Sequence, residues 1–186
     1  MKNRFVTVMM AFMTLTGVYS CKEEKKENVK TVEMHEHHEG DKGETDHRDM
    51  AGSPVFKNEK FGEAYGHYIH IKTALVRSDA GEAQNGAKML VKALGATENN
   101  GKGLEFATAI EKSDDIDVQR KAFYGLSEAF TTMIDGQIAS GTVYKQFCPM
   151  AFDFEGAYWL SSEEEIRNPY FGDKMLTCGE VRERFN

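Results

Sequence analysis

The chain has 186 residues and a formal net charge of −7, with 30 acidic and 23 basic side chains. An acidic protein repels the phosphates of nucleic acids and attracts cations, so we expect no nucleic-acid partner. A chain of this length suits one small domain. The sequence contains no Ser-His-Asp order, no glycine-rich phosphate loop before a helix and no His-Glu-x-x-His zinc motif. We therefore do not expect an enzyme.

Residues 1–20 have the pattern of a signal peptide. Two basic residues precede an apolar run at 5–18, which is too short to span a bilayer comfortably. Ser20-Cys21 then resembles a bacterial lipoprotein box, in which the cysteine is lipidated and becomes the first residue. We expect Cys21 to anchor the protein to the outer membrane of the cell envelope, on its periplasmic or its outer surface. The alternative is a plain secretory peptide, with Cys21 as an ordinary thiol.

Residues 21–56 predict a disordered tether, because charged side chains dominate and apolar ones are scattered. Four of the six histidines of the chain lie in this segment, among them His35, His37 and His38. Neutral imidazole binds Cu²⁺, Zn²⁺ and Ni²⁺, so a short histidine-rich tract is a candidate for weak, secondary metal sites. The other interpretation is a solvated spacer without a metal.

Residues 57–186 predict one mainly α-helical domain, a small up-down helical bundle. Apolar residues recur at helical spacing over 59–77 and predict the first helix. Asp79 and Glu82 have the spacing of a capping box, which predicts a second helix that stops at Gly95.

Two shorter patterns complete the predicted bundle. Residues 104–112 predict a third helix, and a stripe of apolar side chains predicts a fourth over 116–135. His67 and His70 lie one turn apart on the polar face of the first helix. They could share a metal ion, but exposed histidines are more often simply solvated.

The last 45 residues follow a different pattern, and we expect an irregular Cys/Met-rich flap over the open end of the bundle. Residues 142–147 are β-prone, and Asn168-Pro169 predicts a bend. Ser161 with Glu164 predicts the first turn of a helix. The expected packing anchors are Trp159, Tyr170 and Phe171.

This segment also concentrates sulfur, in a Cys-Pro-Met box and a Met-x-x-Cys box. The four residues are Cys148, Met150, Met175 and Cys178. Thiolates and thioethers are soft donors, which select Cu(I) over Zn²⁺, Mg²⁺ or Ca²⁺. If the flap brings the boxes together, the sequence predicts a Cu(I) or Ag(I) site.

A disulfide between Cys148 and Cys178 is the competing interpretation. If Cys21 is lipidated, two thiols remain in an oxidising compartment, where pairing is common. The bridge would close a loop of about 30 residues and stabilise the fold by roughly 3.5 kcal/mol in the chain-entropy treatment. Ligand and disulfide roles are not exclusive, because reduction interconverts them.

Three segments together resemble a bacterial domain family of unknown function. They are residues 68–79, residues 120–127 and the run 148–179, with its Cys-Pro-Met-Ala, Trp-Leu-Ser, Asn-Pro-Tyr-Phe-Gly and Met-Leu-Thr-Cys-Gly motifs. The family occurs in small secreted lipoproteins and as an appended domain on periplasmic adaptors of heavy-metal (copper/silver) efflux pumps. The resemblance covers roughly 57–186. It implies a helical envelope domain linked to metal handling, with an efflux adaptor as a candidate partner.

Two functions follow from these observations. The first is a metal-binding accessory lipoprotein that handles Cu(I) or Ag(I) near an efflux system. The second is a disulfide-stapled interaction module that docks to an envelope partner and has no metal role. The state of the thiols distinguishes them.

Overall fold

The computed structural model describes residues 53–95 and 101–186. The predicted signal peptide, Cys21 and the histidine tract at 35–38 lie outside these residues, so the expectations for them stay predictions. Within the described ranges, no helix combines the length and the apolar character needed to cross a bilayer.

The helices follow the predicted order closely, which confirms the mainly α character of the domain. Their bounds are α1 Glu59–Val76, α2 Ala80–Gly95, α3 Gly101–Glu111 and α4 Ile116–Met133. The predicted cap of α2 is present, because the Asp79 carboxylate accepts the backbone N–H of Glu82 at 2.9 Å. Asn58 and Asp115 cap α1 and α4 in the same way. Helices that follow each other along the chain pack against each other.

The core between α1 and α4 is aromatic. Tyr68 is fully buried, and its ring stacks on Phe123 at 5.0 Å and on Phe130 at 4.8 Å. Its hydroxyl lies 2.8 Å from the Ser127 hydroxyl and accepts the backbone N–H of Leu160 at 2.9 Å. Burial raises the pKa of Tyr68 well above its usual value. This neutral phenol therefore joins two helices to the C-terminal segment.

The C-terminal segment contains a three-stranded sheet, so the predicted irregular flap is wrong for these strands, whereas residues 162–179 lack strands and α-helix. Strands β3 Val143–Cys148, β4 Ala157–Ser161 and β5 Glu180–Phe185 form an antiparallel sheet in the order β4-β3-β5. The β-prone run at 142–147 was the part of this sheet that the sequence indicated. The packing anchors Trp159 and Tyr170 are buried as predicted, with their rings 5.9 Å apart, and Phe171 is half-buried.

The predicted helical turn at Ser161 and Glu164 is also wrong. The Ser161 hydroxyl does accept the N–H of Glu163 at 3.1 Å, which is the local contact that the sequence pattern indicates. The chain nevertheless continues as a series of bends. The reason is Gln146 on β3, whose side-chain amide donates to the carbonyls of residues 163, 164 and 165 at 2.9 to 3.3 Å. Those carbonyls bind the sheet and not a helix.

The folded part begins before residue 57. Strand β1, Val55–Phe56, falls inside the predicted tether and pairs with β2, Ile138–Ser140, in a two-stranded antiparallel sheet. The Phe56 ring contacts the rings of Phe61 at 5.2 Å and Tyr65 at 4.9 Å. Burial of one aromatic side chain thus draws the end of the predicted tether onto the domain.

Candidate thiol and metal site

The two cysteines meet at one end of the C-terminal sheet. Cys148 is the last residue of β3 and is 0% exposed, and Cys178 is half-buried just before β5. Strands β3 and β5 are antiparallel neighbours, with Phe147 opposite Glu180. The end of one strand therefore lies beside the start of the other, and the two Sγ atoms are 3.2 Å apart.

Asn168 holds the segment that carries Cys178. Its side-chain amide donates to the carbonyl of Cys178 at 2.8 Å, and its backbone N–H donates to the carbonyl of Leu176 at 2.8 Å. Its Oδ1 accepts the N–H groups of Tyr170 and Phe171 at 2.8 and 3.3 Å. The sequence predicted only a bend here. The structure shows that this buried amide positions the second thiol.

Arg120 of α4 anchors the same segment to the helices. Its guanidinium, 7% exposed, donates to the carbonyl of Pro169 and to the Ser78 hydroxyl, both at 3.0 Å. Gly172 lies directly beside this contact with φ +58°, and a Cβ there would come within 2.6 Å of the Ser78 hydroxyl. Only glycine fits this approach without strain. Asn168 and Arg120 thus both hold the segment that carries Cys178.

The environment of Cys178 favours the neutral form of its thiol. Burial and, to a smaller extent, the adjacent Cys148 together raise the pKa of Cys178 to about 11. The thiolate is the species that attacks disulfides and binds metals. At neutral pH, a metal ion that binds Cys178 must therefore displace the proton of this thiol.

The spacing of the thiols suits either of two bonded states. A disulfide has an S–S length of about 2.05 Å, so the Sγ atoms would close by roughly 1.2 Å. Two thiolates at about 2.3 Å from one metal ion are roughly 3.8 to 4.6 Å apart, depending on the bond angle. The Sγ atoms, at 3.2 Å, would open by about 1 Å to hold such an ion. Both changes are within reach of small side-chain rotations.

The methionines form a separate pair. Met150 and Met175 both line a pocket of about 590 Å³ between the Cys-Pro-Met loop, α4 and the segment 170–175. Met150 is 37% exposed and Met175 is half-buried. Neither cysteine is among the described residues that line this pocket. The structure thus brings the two thiols into contact and places both thioethers in the lining of one pocket, and a site with all four sulfurs stays a prediction.

The short helical turn Ala151–Phe154, between β3 and β4, has an unusual backbone. Phe152, Asp153 and Phe154 have φ values of 51°, 58° and 71°, so three successive residues with side chains adopt the left-handed region. This conformation costs about 1–2 kcal/mol for each residue that is not glycine. The Gly156 N–H donates to the carbonyl of Ala151 at 2.9 Å and closes the turn. Strained backbone of this kind clusters at functional sites, and no local sequence pattern indicated it.

The histidines of α1 do not form a metal cluster with other described residues. The Nε2 atom of His70 lies 2.5 Å from a carboxylate oxygen of Glu82, and that of His67 lies 4.0 Å from Glu63. Among residues 53–95 and 101–186, no three His, Cys, Asp or Glu side chains are grouped as metal ligands. Burial lowers the pKa of His67, which opposes its protonation.

One family match covers part of this architecture. The family described as protein of unknown function (DUF3347) matches residues 64–141. The similarity covers 78 of the 186 residues, which is less than half of the chain. The match runs from inside α1 to the end of β2, so it ends before Cys148 and all four sulfur residues of interest. The match assigns no activity. It supports the resemblance to a domain family of unknown function, and it does not bear on lipoproteins or efflux adaptors. No curated protein matches the chain, and no solved structure does.

Proposed function

We propose that this protein binds a soft metal ion, Cu(I) or Ag(I), through Cys148 and Cys178, as an accessory lipoprotein of heavy-metal handling. The observation that supports the proposal is the 3.2 Å separation of the two Sγ atoms at one end of the C-terminal sheet. Two thiolates prefer soft monovalent ions, and Met150 and Met175 add thioethers two and three residues away along the chain. Asn168 and Arg120 hold the backbone of the segment that carries Cys178, which preorganises the two thiols.

The second candidate is a disulfide-stapled interaction module. It is favoured by the complete burial of Cys148 and by the raised pKa of Cys178, because both oppose a free thiolate. In this case the exposed apolar side chains of the neighbouring loop would dock to an envelope partner. Phe154 is 75% exposed and Met150 is 37% exposed.

Substitution of the two methionines distinguishes the two candidate functions. In the metal hypothesis, the reduced protein binds one Cu(I) per chain, and Met150→Leu and Met175→Leu each weaken this binding. The substitution preserves volume and should cost less than about 1.5 kcal/mol of stability. Competition against a Cu(I) chelator measures the affinity, and Met89→Leu on α2 is the matched control. Unchanged Cu(I) affinity in both variants, with no free thiol in the unreduced protein, would support the staple.

The envelope location is a further part of the proposal, and it depends on Ser20-Cys21 after the short apolar run. A lipid on Cys21 would anchor the protein more firmly than a single acyl chain does, because lipoproteins carry several. We expect Cys21→Ser to move the protein from the membrane pellet to the soluble fraction after cell lysis. Membrane association that persists in this variant would contradict a lipid anchor.

A further inference from the structure

A second pocket lies between the C-terminal half of α1 and the bends that follow β4. Its volume is about 350 Å³, and it does not include any of the sulfur residues. Lys72 from α1 lines this pocket although its side chain is only 4% exposed. The other charged residues of its lining are Arg77, Glu163, Glu165 and Arg167. A buried lysine in a solvent-accessible pocket requires an explanation.

Two cations of this pocket form no close ion pair with a carboxylate of the described residues. The Lys72 ammonium has three N–H donors, and its described hydrogen bond is to the Ser161 hydroxyl at 3.2 Å. Arg77 follows the last residue of α1 and is exposed, and its guanidinium makes no hydrogen bond or ion pair within the described ranges. Arg167 differs, because it pairs with Glu165 at 3.0 Å. Donors therefore remain unused in this pocket.

The electrostatic balance of the pocket favours an added anion. Its three cations and two carboxylates leave one positive charge, in a chain with a net charge of −7. Burying an ammonium away from water is costly unless an anion accompanies it. Desolvation accordingly lowers the pKa of Lys72, while Glu163 acts in the opposite direction. An oxyanion at this place would offset the cost of burying Lys72.

We infer that this pocket binds a small oxyanion, the carboxylate or phosphate group of a ligand, through Lys72 and Arg77. The ammonium and the guanidinium would both donate to the anion, and such charge-assisted bonds are the stronger class of hydrogen bond. Glu163 and Glu165 border the site and limit it to an ion of low charge. The inference does not depend on the proposed metal binding, because the two sites share no residue.

The test is titration of the full chain with inorganic phosphate and with acetate, at constant ionic strength near neutral pH. Isothermal calorimetry or amide chemical shifts should report one saturable site. Lys72→Met should lower the affinity by about tenfold or more, since it removes a bond to a charged group. Arg77→Gln should lower it as well. Lys88→Met is the control, because Lys88 is exposed on α2 and does not line the pocket.

Glu163→Gln gives the sharpest result. If the pocket binds an anion, removal of a competing carboxylate should strengthen the binding severalfold. If Lys72 merely neutralises Glu163, the same change leaves anion binding absent, and that outcome overturns the inference. Absence of saturable binding by both anions in the unchanged protein overturns it too. Should Lys72→Met fail to fold, opposite affinity shifts in Arg77→Gln and Glu163→Gln support the site, and unchanged affinities refute it.

The ratio of the two affinities identifies the source of the oxyanion. Tighter binding of phosphate than of acetate indicates a phosphorylated ligand, and the reverse indicates a carboxylic acid. Both results support the pocket as an anion site.

Discussion

Cys148→Ser and Cys178→Ser are each expected to abolish tight Cu(I) binding by the reduced protein. A serine hydroxyl is a hard, weak ligand for a soft ion, so one substitution removes half of the thiolate bonding. Loss of a residue that only supports a metal ligand typically costs about 10–100-fold in affinity. Loss of a ligand itself should exceed that range. Competition titration with a Cu(I) chelator measures it, and Cys21→Ser is the matched control because Cys21 lies outside the thiol pair.

The same variants have a different result if the cysteines form only a staple. Each substitution would then lower the stability of the oxidised protein by roughly 3.5 kcal/mol, because the closed loop is lost. Cu(I) affinity would not differ between Cys148→Ser and the reduced, unchanged protein. That equality would refute the metal site and leave the interaction module as the function.

Arg120→Met is expected to lower the free energy of unfolding by roughly 3 kcal/mol. The guanidinium donates to the carbonyls of Pro169 and Leu75 and to the Ser78 hydroxyl. Methionine fills a similar volume but donates nothing, and each buried acceptor left without a donor costs about 1–3 kcal/mol. Chemical denaturation of the reduced protein measures the change.

Lys121→Met is the matched control for this substitution. Lys121 is the next residue along α4, is exposed, and lies over the Phe152 ring at 4.4 Å. Loss of such a cation–π contact should cost about 0.5–1 kcal/mol. Equal stability of the two variants would show that Arg120 is not essential for joining the C-terminal segment to the helices.

The helices could be predicted because their determinants are local. Asp79 lies at the spacing where its carboxylate reaches the N–H of Glu82, and Gly95 ends the same helix. Ser161 makes the same kind of local contact, yet no helix follows it. The difference is Gln146, which is fifteen residues away in the sequence and takes the carbonyls that a helix would need. Local patterns predict structure only where no distant side chain competes.

The sheet was missed for a related reason. Strand β5 reads Glu-Val-Arg-Glu-Arg-Phe, with charged residues on both faces and no clear apolar alternation. As an edge strand it is held chiefly by backbone bonds to β3, and charged side chains are common on exposed edges. These bonds depend on pairing between distant segments, so no local sequence pattern predicts them.

The candidate site was partly visible in the sequence. The two Cys/Met boxes drew attention to the right side chains, because soft donors are rare and here lie close together along the chain. The contact of Cys148 with Cys178 depends on the register of β3 with β5. The buried amide of Asn168 and the left-handed turn before Gly156 depend on tertiary contacts. None of these could be read from spacing alone.

The end of the family match does not coincide with the end of the hydrophobic core. Tyr68 and Arg120 lie within residues 64–141, but each binds a polar group of the later segment, through Leu160 and Pro169. A fragment that stops at residue 141 would uncover the aromatic surface on which the sheet packs. We therefore expect the minimal autonomous folding unit to extend beyond residues 64–141 and to include the C-terminal sheet.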